Sequence, residues 1–160
     1  MARTRRGQPI HGWVVLDKPL GLSSAQATAR VKRLLDAAKA GHGGTLDPLA
    51  TGILPIALGE ATKTVSYVMD GPKAYRFTLC WGEARNTDDA EGAVIETSEI
   101  RPGKSAISSA LGRFIGEIEQ IPPAYSAIKI DGKRAYAMAR AGEVVEIAAR
   151  QVRIDGFTLI

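Results

Sequence analysis

Residues 41–52 read Gly-His-Gly-Gly-Thr-Leu-Asp-Pro-Leu-Ala-Thr-Gly, and this run constrains the fold more than any other part of the chain. Its four glycines disfavour both helix and strand, because glycine loses the most conformational freedom when it is ordered. Pro48 removes a backbone donor and restricts the residue before it. We therefore predict a long loop between two regular elements, with one acidic residue, Asp47, fixed beside the proline.

A strand and a helix are predicted before this loop. The apolar run at 12–16 ends at residues 17–21, Asp-Lys-Pro-Leu-Gly, which indicates a strand that enters a turn. Ser23 and Gln26 have the spacing of a capping box, so a helix is predicted to begin there and to end at Gly41. Four apolar residues at helical spacing form its predicted buried face: Val31, Leu34, Leu35 and Ala38.

After the loop, the spacing of apolar residues predicts further strands and helices. An apolar strand is predicted over 53–58 and a second helix over 61–69. Residues 75–81 alternate large apolar side chains with smaller or polar ones, which predicts a strand. Because the elements show no strict βαβ repeat, the fold class is α+β, with a mainly antiparallel or mixed sheet and flanking helices. The remaining predicted elements are an acidic turn at 88–92 before a strand at 93–97, a third helix from Ser105 through Ile118, a hairpin at Asp131-Gly132, a short helix over 134–140 and a strand over 151–160.

The composition excludes several classes of protein. With 45% hydrophobic and 24% charged residues, the 160-residue chain has the makeup of a folded domain and not of a disordered one. One cysteine cannot form an internal disulfide, and two histidines are too few for a typical zinc site, so no metal is expected. No apolar run could span a bilayer, and the first ten residues lack the apolar core of a secretory signal. We expect a cytoplasmic protein without membrane contact.

The basic charge is concentrated in the first part of the chain. Residues 1–63 carry nine Lys/Arg and four Asp/Glu, whereas residues 64–160 carry twelve and thirteen. This distribution suits a polyanionic partner, of which a nucleic-acid backbone is the commonest. Four cations on the first predicted helix fit either a solvated surface or an RNA contact. They are Arg30, Lys32, Arg33 and Lys39.

Asp47 is the candidate catalytic group of the loop. A carboxylate fixed on a glycine-rich backbone suits a nucleophile or a general base, and an Asx-turn is the structural alternative. Its partner stays open, since no GxSxG motif occurs and no spacing pairs it with Glu60 or Asp89 as in a glycosidase. His42 fits either a substrate-orienting group or a helix cap. Tyr75 fits either a core position or stacking on a base.

Residues 41–63 resemble the catalytic motif of the TruB-type tRNA pseudouridine synthases. Three further segments resemble the same family in order and spacing. They are LDKPLGLSS at 16–24, KAYR at 73–76, and QIPPAYSAIK at 120–129 with GKRAY at 132–136. The resemblance therefore extends through nearly all of the chain from residue 8.

The resemblance implies an isomerase that converts uridine 55 in the T-loop of tRNA to pseudouridine, without a metal or an organic cofactor. Asp47 matches the aspartate that initiates cleavage of the N1–C1′ bond, after which the uracil turns and rejoins through C5. Attack on C1′, addition to the base and removal of the C2′ proton all stay open as its route. Tyr75 matches the tyrosine that stacks on the flipped uracil and is a candidate for removing the C5 proton.

The resemblance also implies residues that bind or support the RNA. His42 matches the histidine that contacts the rearranged RNA loop, and Gly44 and Thr45 follow it in the same motif. Lys18 matches the lysine that supports the floor of the active site. The implied partner is the T-stem-loop of tRNA, bound by a monomer.

Two departures from the family pattern bear on this interpretation. Gly43 stands where the family usually has threonine or alanine, and it is expected to loosen the loop while Asp47 stays in register. The family's chain is longer, so residues 1–160 are expected to form the N-terminal part of the catalytic domain. The rest of that domain, with a basic partner for Asp47, and a PUA-like RNA-binding domain would then be absent. Residues 1–160 alone are expected to keep the fold in part and to lack full activity.

Two other functions remain open from the sequence. The first is a non-catalytic RNA-binding or tRNA-folding module on the same scaffold, which the basic first part of the chain favours. The second is a carboxylate-dependent glycoside hydrolase, which requires a second essential carboxylate.

Overall fold

The computed structural model describes residues 7–123 and 147–160, with residues 129–130, 133–134 and 138 between them. The chain divides into two compact units, Met1–Arg76 and Phe77–Ile160. The elements of the first unit are β1 (Gly12–Lys18), α1 (Ser24–Leu34), β2 (Ala40–His42), β3 (Gly52–Leu58), a 3-10 helix (Gly59–Thr64) and α2 (Val65–Met69).

The first unit contains a three-stranded antiparallel sheet in the order β1-β3-β2. Gly12 pairs with Leu58 at one end of the β1–β3 ladder, and Lys18 pairs with Gly52 at the other. The predicted strands on both sides of the loop are thus confirmed. The loop itself is shorter than predicted, spanning residues 43–51, because Ala40–His42 pairs with β3.

Helix α1 packs on this sheet, and its predicted start is confirmed. Ser23 and Gln26 form the capping box in both directions. Its buried face differs from the predicted one, since Leu34 is 82% exposed. The helix ends at Leu34, and Asp36 adopts a left-handed conformation with φ of 45°, so the helical spacing does not continue through Ala38. The buried residues of α1 are Ser24, Ala27, Thr28 and Val31.

The core of the first unit lies between α1 and the sheet. Ala27 and Val31 pack there with the buried side chains of β3. The β3 residues are Leu54, Ile56 and Leu58. Alternate β3 positions face this core because successive side chains of a strand point to opposite faces.

The strand predicted at 75–81 is not formed, since residues 72–80 adopt neither helix nor strand. The alternation of apolar residues is present, but a strand also needs backbone hydrogen bonds to a partner. In the part of the chain that the structure describes, no strand pairs with this segment. The second predicted helix is also different, because its first half is the 3-10 helix and only Val65–Met69 is α-helical.

The second unit is built from antiparallel pairs, β4 with β5, β6 with β9 and β7 with β8. Its elements are β4 (Glu83–Arg85), β5 (Val94–Thr97), α3 (Lys104–Leu111), a 3-10 helix (Gly112–Phe114), β6 (Gly116–Gln120), β7 (Lys129–Ile130), β8 (Lys133–Arg134) and β9 (Arg150–Ile154).

The third predicted helix is too long, because Ile118 lies in β6 and not in α3. Gly116 has a φ of 96°, a conformation that ends helical geometry and begins the strand. The predicted hairpin is supported by the pairing of β7 with β8, although residues 131–132 lie outside the described part. Most of the helix predicted over 134–140 also lies outside it.

Both units combine helices with antiparallel sheets, which confirms the α+β class. Across the described residues, none of the helices has the length and apolar character needed to cross a membrane.

Candidate functional site

The loop at 43–51 carries Asp47 at one end of the β1-β3-β2 sheet. It runs from His42, the last residue of β2, to Gly52, the first residue of β3. Lys18, the last residue of β1, pairs with Gly52. The end of β1 and the end of the loop therefore lie side by side.

The turn at 19–23, between β1 and α1, is hydrogen-bonded to this loop at Pro48, and the start of α1 is bonded to it at Leu46. The Gly21 N–H donates to the Pro48 carbonyl at 2.8 Å. On the other side, the Ser24 hydroxyl accepts from the Leu46 N–H at 2.8 Å and donates to the Leu46 carbonyl at 2.9 Å. The backbone of Asp47 is thus held from both neighbours.

The Asp47 side chain lies at the surface of the loop. In the loop it is the Asp47 carbonyl, and not the carboxylate, that accepts from the Ala50 N–H at 3.0 Å. An Asx-turn would use a side-chain oxygen for such a bond. Among the described hydrogen bonds, none forms an Asx-turn at Asp47, and its carboxylate is exposed.

Lys18 is fully buried, with an exposed fraction of 0%. Its ammonium donates to the Pro19 carbonyl at 3.0 Å and to the Leu22 carbonyl at 2.7 Å. A buried ammonium is stabilised only when its donors find acceptors. Lys18 therefore fixes the 19–23 turn from within, and its charged group lies away from the surface where a phosphate would bind.

His42 is half-buried, and its Nδ1 is hydrogen-bonded to the Gly44 carbonyl. Since a carbonyl can only accept, Nδ1 carries the proton, which leaves Nε2 of the neutral ring as an acceptor. The alternative role of His42 as a helix cap is wrong, because α1 ends at Leu34 and His42 lies in β2. Gly44 has a φ of 147°, which favours glycine, and Thr45 is exposed beside it.

Gly43, which the sequence predicts to loosen the loop, is packed at the point where the loop leaves β2. It is buried, and its N–H donates to the Pro55 carbonyl at 2.8 Å. A Cβ atom at this position would lie 3.3 Å from Cγ1 of Val68. A larger residue here would therefore require the Val68 side chain to shift by a few tenths of an ångström.

Tyr75 belongs to the same compact unit as Asp47 and is 76% exposed. It lies in the 72–80 segment. Among the described residues, no hydrogen bond joins Tyr75 to the 43–51 loop. The structure thus places Lys18 beside Gly52, where the loop enters β3, and His42 opposite Ile56, where the loop leaves β2. Gly44 and Thr45 lie in the loop itself, and Tyr75 is exposed on a segment without regular structure.

Ser24 is the site residue that the sequence reasoning missed. The capping box assigns a role to Ser23 alone and gives none to the next serine. A signal was present, because Ser24 lies at helical spacing from Val31 on the core-facing side of α1. A buried hydroxyl there needs a hydrogen-bond partner, and that partner is Leu46.

The groups that commonly ligate metals are scattered in the described part of the chain. Within it, no three His, Cys, Asp or Glu side chains are grouped closely enough to hold an ion.

Comparison with known proteins places these residues in a family. The family described as "TruB family pseudouridylate synthase (N terminal domain)" matches residues 32–160. The chain belongs to this TruB family. The match includes Asp47 and Tyr75, whereas Lys18 and Ser24 precede it.

Curated relatives of this TruB-family chain are similar over its full length. A Rhodospirillum rubrum protein named "tRNA pseudouridine synthase B" is 59% identical over 160 residues, which are 100% of this chain and 52% of the relative. A protein of the same name from Bradyrhizobium diazoefficiens is 65% identical over 156 residues, covering 98% of this chain and 45% of the relative. The chain spans about half the length of the curated relatives it matches.

A solved structure supports the fold of the TruB-family chain. The crystal structure of a Cbf5-Nop10-Gar1 complex contains a chain that is 27% identical, with a TM-score of 0.54. The similarity covers 89% of this chain and 33% of that one.

Proposed function

We propose that the protein isomerises uridine 55 in the T-loop of tRNA to pseudouridine, with Asp47 as the group that initiates cleavage of the glycosidic bond. The observation that carries this proposal is the exposed Asp47 carboxylate on a loop whose backbone is held at both neighbouring residues. Membership of the TruB family supplies the reaction class.

The exposed Asp47 carboxylate, on a loop whose backbone is held by hydrogen bonds, suits reaction at a ribose carbon or at the base. A carboxylate contributes most when the protein holds it within bonding reach, because orientation supplies much of the rate acceleration. The substrate uridine must first leave its stack, which costs a few kcal/mol. Stacking on Tyr75 offsets this cost, and the exposure of that ring leaves its face open to a base.

The RNA partner is supported by charge in the first unit. Helix α1 has no acidic residue in its first turn, and Arg30, Lys32 and Arg33 lie exposed along it. No salt bridge joins these cations to an acid within the described residues. In the same unit, His42 Nε2, Gly44 and Thr45 are proposed to contact the RNA loop. In this proposal the protein acts as a monomer on the T-stem-loop, without a cofactor.

The glycoside-hydrolase alternative requires a general acid whose pKa is raised. The two candidate carboxylates, Glu60 and Asp89, instead have lowered pKa values. The hydrogen bond from Lys63 lowers the pKa of Glu60. The pKa of Asp89 is also lowered, by the Thr87 hydroxyl at 2.6 Å and the Glu91 N–H at 2.9 Å. These carboxylates fit surface anions and not proton donors.

A non-catalytic RNA-binding module remains the second candidate, because exposed cations alone support binding without reaction. The two candidates are separated by whether the C5–H bond of the target uridine breaks.

The test uses T-stem-loop RNA labelled with tritium at C5 of uridine, since isomerisation releases that hydrogen to water. Two proteins are assayed: this chain, and a chimaera in which it replaces the matching half of the Rhodospirillum rubrum relative. Asp47→Asn removes the negative charge at constant size and is expected to lower tritium release by about 10²- to 10⁴-fold. Asp70→Asn, at another exposed carboxylate of the same unit, is the matched control and is expected to keep wild-type activity.

Equal and measurable tritium release from the wild-type and Asp47→Asn chimaeras would refute the assignment of Asp47. Salt-dependent RNA binding by both wild-type proteins without tritium release would favour the binding module instead.

A further inference from the structure

We propose that Ser24 is a positioning residue for Asp47, acting through both main-chain polar atoms of Leu46. This inference rests on the proposed function, because it assigns Ser24 to the same loop and the same reaction. It adds a residue that touches neither the RNA nor the reacting atoms.

The contact is a pair of hydrogen bonds made by one hydroxyl. Ser24 Oγ accepts from the Leu46 N–H at 2.8 Å and donates to the Leu46 carbonyl at 2.9 Å. Ser24 is 3% exposed and Leu46 is half-buried, so the hydroxyl itself is largely shielded from water. Only a group that both donates and accepts can make this pair, which restricts the position to a hydroxyl side chain of small size.

The bonds to Leu46 reach Asp47 through the peptide plane. The Leu46 carbonyl belongs to the peptide unit that joins it to Asp47, and this unit is planar. Fixing the carbonyl therefore fixes the direction in which the chain enters Asp47. The Gly21 bond to the Pro48 carbonyl holds the chain on the other side of Asp47.

Ser24 is itself rigid, which a positioning residue needs. It is the first residue of α1, directly after Ser23, whose capping box with Gln26 fixes the start of the helix. One turn further, Ala27 is buried in the core. The helix thus fixes the position of the hydroxyl, and the hydrogen bonds of the hydroxyl to Leu46 restrict the position of the loop.

Helix α1 offers a matched control at Thr28. Its hydroxyl donates to the Ser24 carbonyl at 2.8 Å, and the residue is buried on the same face of the helix. Thr28→Val removes a buried hydrogen bond of similar length that does not reach the loop. A purely structural role for Ser24 predicts equal effects at the two positions.

The experiment compares Ser24→Ala, Ser24→Cys and Thr28→Val. Cysteine is close to serine in volume but is a weak donor and acceptor, so it separates hydrogen bonding from packing. Rates are measured in the chimaera by tritium release. Exchange of the Leu46 amide hydrogen is measured in this chain by NMR, with the Leu54 amide as a reference for the fold.

Both Ser24 variants are expected to lower kcat by about 10- to 100-fold with KM unchanged, because the loop is displaced and RNA binding is not. They also accelerate exchange at Leu46 by about tenfold, the equivalent of one hydrogen bond, while Leu54 stays protected. Thr28→Val leaves kcat and Leu46 exchange at wild-type values. A further variant, Ser24→Thr, keeps a hydroxyl at this position and is expected to retain kcat.

Two results would overturn the inference. One is a wild-type kcat in Ser24→Cys, and the other is Leu46 exchange in Ser24→Ala no faster than in Thr28→Val. Failure of the proposed function looks different: Asp47→Asn then keeps full activity, while Leu46 exchange still reports whether Ser24 holds the loop.

Discussion

Lys18 contributes to the turn that is hydrogen-bonded to the 43–51 loop. The resemblance predicts a role for it in supporting the active-site floor, and the structure shows what it contacts. The ammonium is buried and bonded to the Pro19 and Leu22 carbonyls, within the turn that holds the loop. Its contribution is thus to the geometry of the turn, and it should be visible as stability.

Lys18→Met is expected to lower the free energy of unfolding by about 2 kcal/mol, because methionine fills the buried space but removes the donor from the part-buried Pro19 and Leu22 carbonyls. Urea denaturation measures this change. The control is Lys32→Met on the exposed side of α1, which should change the free energy by less than about 0.5 kcal/mol. Equal stability of the two variants would contradict the role given to Lys18.

Helix α1 links the candidate catalytic loop to the basic surface. Ser24 at its N-terminus contacts Leu46, and the helix then extends for 11 residues with its cations exposed. At a rise of about 1.5 Å per residue, Arg30 and Arg33 lie about 9 and 14 Å along the axis from Ser24. An RNA whose loop reaches Asp47 would place part of its stem within this distance of Ser24, where Arg30 and Arg33 lie.

Reversing two charges on this helix tests that arrangement. Arg30→Glu with Arg33→Glu is expected to weaken RNA binding and to reduce the salt dependence of log K by about one unit for each phosphate that the helix no longer neutralises. Fluorescence anisotropy with the T-stem-loop at several salt concentrations measures both quantities. Lys104→Glu with Arg113→Glu makes the same change of net charge around α3, and an equal effect there would show that total charge decides binding.

The helices and strands also show which parts of the fold could be predicted from the sequence. The start of α1 was predictable, because a capping box is a local pattern. Its end was not, since Asp36 takes a left-handed conformation that its residue type does not require. The strand expected at Tyr75 failed because pairing depends on a distant partner. Ser24 was missed for the same reason: its partner Leu46 is 22 residues away.

At the scale of the whole molecule, the two units differ in how much apolar surface they bury. The buried hydrophobic residues in the described part belong to the first unit. Large apolar side chains are exposed in both units, but among the described residues only the first unit also has a buried hydrophobic core. The exposed side chains of the second unit include Trp81, Val94, Ile95, Ile100, Phe114, Ile115 and Ile121.

Amide hydrogen exchange should reveal this difference. The β1 and β3 amides are expected to exchange slowly, because their ladder lies against the core, and the β4, β5, β6 and β9 amides faster. Exchange of this chain followed by mass spectrometry resolves the two groups. Equal protection in both would contradict this distribution of buried surface.

The hydrogen bonds that order the 43–51 loop and its supporting turn end on main-chain atoms of Leu22, Leu46 and Pro48. Every amino acid has a backbone carbonyl, so an acceptor such as that of Leu22 survives replacement of its side chain. The donors from Lys18 and Ser24 belong to particular side chains and do not. We therefore expect the position that supplies a main-chain acceptor to tolerate substitution and the positions that supply side-chain donors not to tolerate it. A saturation library should accept many residues at position 22 and very few at positions 18 and 24.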